Sequence, residues 1–435
     1  MTRDSLAERR FWPALAALTL LGLGIRVAYA VAVAPDQIQP GDPRLYHDLA
    51  NQLASWNGYR FAETVASPYP TASHPPLYPL YLAILTKLGV TGFTGQRALS
   101  CLLGAVAVGG IGVLGRRLAG ARAGLIAAGL AAVYAQLFMV DGTLIAESLY
   151  APLIVLTLIA AYRFVDSPGP AAAAVLGALI GLAALTRSDG VLLLVVLAAP
   201  LAWRAGRQRL RMLAIMAAAA ALLLSPWLVR NWIQFDRFPL LSTNGALTQG
   251  ATNCDATFAG PRIGFVAHEC ALSSSCLRIR EEVPQSECFG RRARAYVGDH
   301  LDRLPLVLLA RAGRLWNVYK PGEDLSYGQL WARERTLATI GMASFALLFA
   351  AGLYGGVLLH RRGVTLLPLL ATLVAATLTA MIAFGFSRYR LVAEPAIVVL
   401  AAVGLEAAAV STASRLRRAA PAGARGSAAA PPAAP

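Results

Sequence analysis

The chain has 435 residues, 57% of them hydrophobic and only 14% charged, with a mean hydropathy of +0.56. A soluble domain carries about a quarter charged residues, so the composition excludes an ordinary soluble globule. The formal net charge of +16 comes almost entirely from Arg, in short clusters between apolar runs; it lacks the continuous polar basic stretches of a nucleic-acid-binding region, and no nucleic-acid partner is expected.

Residues 1–10 are charged and are read as a cytoplasmic N-terminus, and 11–34 are apolar over a length that spans a bilayer. No small-residue cleavage site follows, so this segment is expected to be a retained first helix. Further apolar runs lie near 98–115, 123–140, 147–163, 171–186, 190–203, 211–229, 337–359, 364–384 and 391–410. Long Ala, Leu and Val runs without strand-like alternation point to helices, the spanning structure that pairs its own backbone groups. Taken as alternating spans, they put Arg116, Arg117, Arg122, Arg163, Arg204, Arg207, Arg209, Arg211, Arg361, Arg362, Arg415, Arg417 and Arg418 on one side, as the positive-inside rule requires. The expected architecture is an all-α polytopic membrane protein of about ten transmembrane helices. Its parts are a bundle over 11–229 with a first extracytoplasmic loop at 35–97, an extracytoplasmic insert at 230–336, C-terminal helices over 337–410, and a disordered cytoplasmic tail over 411–435.

Three polar regions fall outside in this scheme. The first holds Asp36, Asp42, His47, Asp48, Glu63 and His74, and ends in an apolar, Pro-led stretch, 75–90, predicted to lie on or dip into the membrane surface. The second is the short turn from Asp141 to Glu147. The third, 230–336, contains Cys254, Cys270, Cys276 and Cys288. Four cysteines in one extracytoplasmic loop predict two disulfides with three connectivities open; zinc is the rival reading, but no CxxC pair is present.

Within these regions, Asp42 follows Gly41 and precedes Pro43 at the lipid–water boundary. A carboxylate there serves as a general base or metal ligand, or simply as a helix N-cap. His74 opens His-Pro-Pro-Leu-Tyr and suits a phosphate or metal contact, with a structural turn as the plainer alternative. Asp141 and Glu147 flank the outer ends of neighbouring spans, where acidic groups are functional candidates. Arg187, in Thr-Arg-Ser-Asp-Gly, and Arg388 and Arg390, in Ser-Arg-Tyr-Arg, place forked donors at a depth suited to a membrane-anchored phosphate, or to ordinary headgroups. Arg230 and Asn231 are placed at the start of the large loop and contribute similarly. Arg26, near the outer end of the first helix, is read as snorkelling to the headgroups.

The order of these motifs resembles the GT-C class of membrane glycosyltransferases, over roughly residues 10–410. Gly41-Asp42…Tyr46, His74-Pro75-Pro76-Leu77-Tyr78, Asp141…Glu147-Ser148-Leu149-Tyr150, the Thr186–Gly190 turn and Arg388-Tyr389-Arg390…Glu394-Pro395 carry the likeness. The likeness is greatest to the protein mannosyltransferase and lipid A aminoarabinose transferase branch, of actinobacterial type. The resemblance implies transfer of a sugar from a polyprenyl-phosphate donor to an envelope glycan, lipid or protein, outside the cell membrane. Asp42 matches the catalytic carboxylate, and Asp141 or Glu147 the second acidic motif. His74 stands where the aminoarabinose branch has Lys; Arg187, Arg388 and Arg390 neutralise the leaving phosphate; Tyr46 and Tyr78 line the substrate. No cofactor is assigned and a divalent metal stays open, since no Asp-x-Asp run is present. Two rivals remain: a transporter or flippase for a lipid-linked or anionic substrate, and an inactive relative serving as an assembly subunit.

Overall fold

The computed structural model describes residues 8–34, 38–61, 69–329 and 333–419. Asp36, Glu63, the first seven residues and 420–435 lie outside the described residues. Where described, the chain is built of helices joined by tight turns, with one isolated antiparallel bridge, Arg60–Pro70.

All ten apolar runs become helical, because in hydrocarbon only a helix pairs every backbone group within its own segment. Six helices are long and apolar enough to cross a membrane: Phe11–Val33, Phe93–Ala119, Glu147–Asp166, Gly206–Phe235, Arg335–Arg361 and Glu394–Thr412. A seventh span is a broken pair, Ala121–Val133 and Ala135–Asp141, bent by 56°. The expected runs at 171–186, 190–203 and 364–384 are shorter apolar helices, Pro170–Thr186, Ser188–Trp203 and Leu367–Ile382. The count of about ten spans is therefore met in helices but not in length. The Pro-led stretch forms Leu77–Lys87, 11 residues long, which at 1.5 Å per residue covers about half a bilayer core.

The bundle packs by small residues. A side chain at Gly355 would collide with the Leu400 carbonyl, and one at Gly404 with the Ala351 carbonyl. Gly at both positions lets the Arg335–Arg361 and Glu394–Ala419 helices touch backbone to backbone, where lipid offers no hydrophobic drive. At one end of the bundle Arg117 pairs with Asp166 and donates to the Tyr162 carbonyl (3.0 Å), while the Tyr162 hydroxyl donates to the Thr365 carbonyl (2.9 Å). Every turn carrying the candidate site lies at the opposite end.

Three boundaries differ from expectation. The Arg209–Phe235 helix runs through Arg230 and Asn231, so both lie on a helix and the polar insert begins after them. The next long helix starts at Arg335. The last helix continues to Ala419, beyond 410, because Ala and Arg are strong helix formers.

The insert is made of short helices tied by Cys254–Cys270 and Cys276–Cys288. Of the three connectivities open from sequence it adopts the sequential one, with the sulfurs paired. Its core of Phe265, Cys276 and Phe289 continues into Phe384 and Phe386, just ahead of Arg388. Asp324 accepts from the Ser387 N–H (2.9 Å) and hydroxyl (2.8 Å), which pins that turn to the insert.

Candidate active site

Asp42 opens the Asp42–Ala54 helix, with Gly41 as N-cap at φ 92°, a left-handed conformation that favours glycine. Gly41 is the N-cap and Asp42 the first helical residue, so the N-cap alternative does not describe Asp42. Its partners are Arg388, whose Nη2 lies 2.7 Å from Oδ2, and His74, whose Nε2 lies 3.5 Å from Oδ1.

Arg388 also grips both Glu147 oxygens along one edge, through Nε and through Nη2 at 2.8 Å. Glu147 in turn binds Arg187, whose Nε reaches Asp189 Oδ1 at 3.0 Å. Asp189 Oδ2 accepts from the Thr379 hydroxyl at 3.4 Å. Four chain segments more than 340 residues apart at their extremes thus meet in one chain of alternating charge. The Glu147 side chain is 1% exposed, whereas Asp42 keeps 17%, His74 13% and Arg187 15%. Glu147 is the buried brace; Asp42 and His74 stand at the mouth.

The aromatic wall follows from the helix repeat. Tyr46, one turn after Asp42, packs edge-on against His74 (5.3 Å) and Tyr78 (5.1 Å). Arg187 lies over Tyr150 and Tyr389 at 5.7 and 5.6 Å. Burial raises the Asp42 carboxyl, but Arg388 and then His74 outweigh it and hold the group well below the ordinary carboxylate range. Arg388, despite burial, is kept charged by Glu147 and Asp42. Burial, reinforced by Asp42, raises the Tyr46 phenol, so it stays protonated at neutral pH.

The His74 loop is strapped from outside. Ala72 N–H donates to Glu282 Oε1 at 2.8 Å, and Thr243 Oγ1 donates to the same oxygen at 2.6 Å. Ser242 Oγ donates to the Ser73 carbonyl (2.7 Å), and Arg230 donates to the carbonyls of Thr71 (2.7 Å) and Tyr59 (2.9 Å). Arg230, expected near a phosphate, thus positions the loop, and Asn231 sits beside it, 1% exposed. Glu282 was not legible in the sequence: an acid in a polar helix carries no sign of what it will cap.

Asp141 and Arg390 have their ion pairs elsewhere. Asp141 is 3% exposed and accepts from Arg26 Nε at 2.8 Å. Arg26 also donates to the carbonyls of Ala131 (3.2 Å) and Ala132 (3.3 Å), freed where the helix breaks at Tyr134. It is 1% exposed, so it does not snorkel; it fills the break. Arg390 is fully buried, pairs with Glu394 Oε1 at 2.6 Å, donates to the Leu315 carbonyl at 2.9 Å and stacks on Phe345. Asp141 and Glu147 are both buried, each against guanidinium groups.

A family model, dolichyl-phosphate-mannose-protein mannosyltransferase, matches residues 73–230, less than half of the chain. No curated protein matches the chain in sequence. Among solved structures, the archaeal oligosaccharyltransferase AglB from Archaeoglobus fulgidus, in complex with an inhibitory peptide and a dolichol-phosphate, superposes with a TM-score of 0.55 at 15% identity, covering 95% of this chain and 52% of that one. The apo form of the Archaeoglobus fulgidus oligosaccharyltransferase gives 0.53 at 15% identity, over 94% of this chain and 52% of that one. The fold is that of the GT-C class. The chain spans about half the length of the oligosaccharyltransferases it matches. ArnT from Cupriavidus metallidurans, bound to undecaprenyl phosphate, covers 94% of this chain and 80% of its own, at 16% identity and a TM-score of 0.44. In this chain the family match begins at Ser73, beside His74, and ends at Arg230, the residue that clasps the His74 loop.

Proposed function

We propose that the chain transfers a sugar from a polyprenyl-phosphate-linked donor to an envelope glycan, lipid or protein, at the extracytoplasmic face of the cell membrane. The observation that carries this reading is the meeting of Asp42 with Arg388, Glu147 and Arg187 at the mouth of the bundle. A semi-exposed carboxylate beside fixed guanidiniums matches the two demands of the reaction. One is a base for the acceptor; the other is a cationic field for the departing phosphate.

In the step proposed, an acceptor O–H or N–H attacks the anomeric carbon and its proton passes to Asp42. The bond from that carbon to the phosphate oxygen breaks, and the electron pair leaves with the polyprenyl phosphate. Arg388 and Arg187 stabilise the charge that grows there, held in place by Glu147. His74 contacts Asp42 and orients it, and its ring edge faces the same mouth as Tyr46. Tyr78 closes the wall behind. The outer placement is supported by the Arg-rich turns at the opposite end and by two disulfides in the insert that straps the His74 loop. For a divalent metal, Asp42 and His74 offer two donors; among the described residues no group of three or more His, Cys, Asp or Glu gathers to hold one. The donor set does not fit a resident metal, and no step is routed through it.

The test is transfer from radiolabelled polyprenyl-phosphate sugars in membranes carrying wild type or Asp42→Asn at equal expression. Wild type labels an envelope acceptor; the variant loses roughly 10²-fold or more, the usual contribution of a general base. Equal labelling by both would remove Asp42 from catalysis. Labelling by neither above membranes lacking the protein would favour transport or assembly.

A further inference from the structure

Charge balance at the site leaves one requirement unmet. The contacting groups are three carboxylates, Asp42, Glu147 and Asp189, against two guanidiniums, Arg187 and Arg388. Both arginines are already committed to acids. A phosphate entering this enclosed mouth would meet a surplus of negative charge, which a low-dielectric site penalises heavily. Another cation is needed.

Arg333 stands beside the site, its guanidinium in no ion pair with any described residue. It lies just ahead of the Arg335–Arg361 helix and is 8% exposed. Its guanidinium carbon sits 5.7 Å from the Phe386 ring, two residues before Arg388. Among the described residues, no carboxylate lies within 4 Å of its guanidinium. The neighbouring acid, Asp324, accepts from the N–H and hydroxyl of Ser387 and lies beyond ion-pair distance of Arg333. Buried charges are ordinarily paired, and one kept without an acid is a charge kept for a ligand. Burial in fact pushes this guanidinium below its ordinary value, with Arg388 adding to the effect and Asp324 and Glu147 opposing it. An incoming anion relieves that penalty.

We infer that Arg333 binds the phosphate of the lipid-linked donor and of the polyprenyl phosphate product, supplying the positive charge that Arg187 and Arg388 have already given to Asp42, Glu147 and Asp189. The inference rests on the glycosyltransfer reading of the site. It extends that site to the residue just ahead of the Arg335–Arg361 helix.

The experiment is a binding titration of the full chain in detergent, followed by tryptophan fluorescence. The probes are a polyprenyl phosphate, the matching uncharged polyprenol and inorganic phosphate, and the proteins are wild type, Arg333→Gln, Arg333→Lys and Arg388→Gln. Wild type is expected to prefer the lipid phosphate strongly over the alcohol. Arg333→Gln should weaken phosphate binding about tenfold, the worth of one charged hydrogen bond, with Lys recovering part of it. Polyprenol affinity should not change in either Arg333 variant, which also reports that they fold. Lipid-phosphate affinity in Arg333→Gln within about twofold of wild type, with Arg388→Gln impaired, overturns the assignment. Saturation by inorganic phosphate as tight as by the lipid phosphate overturns the lipid source and leaves a free-anion site. A wild type that does not distinguish phosphate from alcohol sinks the glycosyltransfer reading itself.

Discussion

Arg388 Nη2 lies 2.7 Å from Asp42 and 2.8 Å from Glu147, so a single guanidinium nitrogen joins the carboxylate at the mouth to the one beneath it. Removing it leaves Asp42 with His74 and Glu147 with Arg187. Asp42, held well below the ordinary carboxylate range, is ionised wherever the membrane is intact. Its ion pair stabilises the fold fully above the unfolded value, about 3.9, and is lost only as pH falls through the lower folded value. Transfer by wild type should keep its Asp42-dependent rate flat from pH 8 to about 5. In Arg388→Gln the burial of Asp42 is offset by His74 alone, and the acid limb should move upward. A pH profile of initial rate, each variant normalised to its own maximum, measures this. An unshifted limb would show that Arg388 does not set the Asp42 carboxyl.

Glu282 should act on chemistry it does not touch. It receives the Ala72 N–H and the Thr243 hydroxyl on one oxygen, and so fixes the turn that delivers His74 to Asp42. Glu282→Ala is expected to cost about 1–3 kcal/mol of local stability, as two hydrogen bonds to a charged group are lost. Transfer should fall several-fold, with Glu282→Gln recovering part of it, because its amide oxygen accepts the same N–H. Limited proteolysis at residues 59–74 checks the loop directly: faster cleavage in the Ala variant is expected, and unchanged cleavage with unchanged rate would deny the strap.

The bundle was legible from the chain because the rule behind it is local: a run of apolar residues in lipid must pair its own backbone. The acidic and Arg-bearing turns were legible for the same reason, being the breaks in those runs. What periodicity does not encode is which acid meets which cation. Asp141 and Glu147 lie six positions apart, equally close to hydrocarbon, yet one is gripped by Arg26 and the other by Arg187 and Arg388. That choice depends on a 56° break at Tyr134, and on an Arg26 that turns inward to fill it. Arg333 escaped for a related reason: no local pattern marks which groups surround it, and a sequence shows residues, not pairings.

The two disulfides should differ in consequence. Cys276–Cys288 brackets Glu282, whereas Cys254–Cys270 joins short helices farther along the insert from the strap. Each closes a loop of 12 or 16 residues, worth about 3 kcal/mol in a chain-entropy account. The Cys276→Ser, Cys288→Ser double variant should lower both insert stability and transfer, while the Cys254→Ser, Cys270→Ser pair should lower stability with a smaller effect on rate. Thiol-labelling mass shifts before and after reduction verify the pairing. Equal losses of rate from the two double variants would separate the Glu282 strap from its disulfide.

Arg26 and Asp141 invite the same question as any buried acid near a site, and the answer separates bracing from catalysis. Both side chains are almost fully enclosed, and Arg26 additionally satisfies carbonyls that the helix break leaves open. Removing one partner strands the other, at a cost of about 3–5 kcal/mol, whereas replacing both with apolar groups of similar volume is often nearly neutral. Asp141→Leu alone should therefore sharply lower the thermal midpoint in detergent. Arg26→Met with Asp141→Leu should regain much of that loss, short of wild type because the Ala131 and Ala132 carbonyls remain unpaired. Per folded molecule, the double variant should transfer sugar within a few-fold of wild type. A stable double variant that has lost activity by roughly 10²-fold or more would return Asp141 to the catalytic set, because bracing alone does not discriminate between folded proteins.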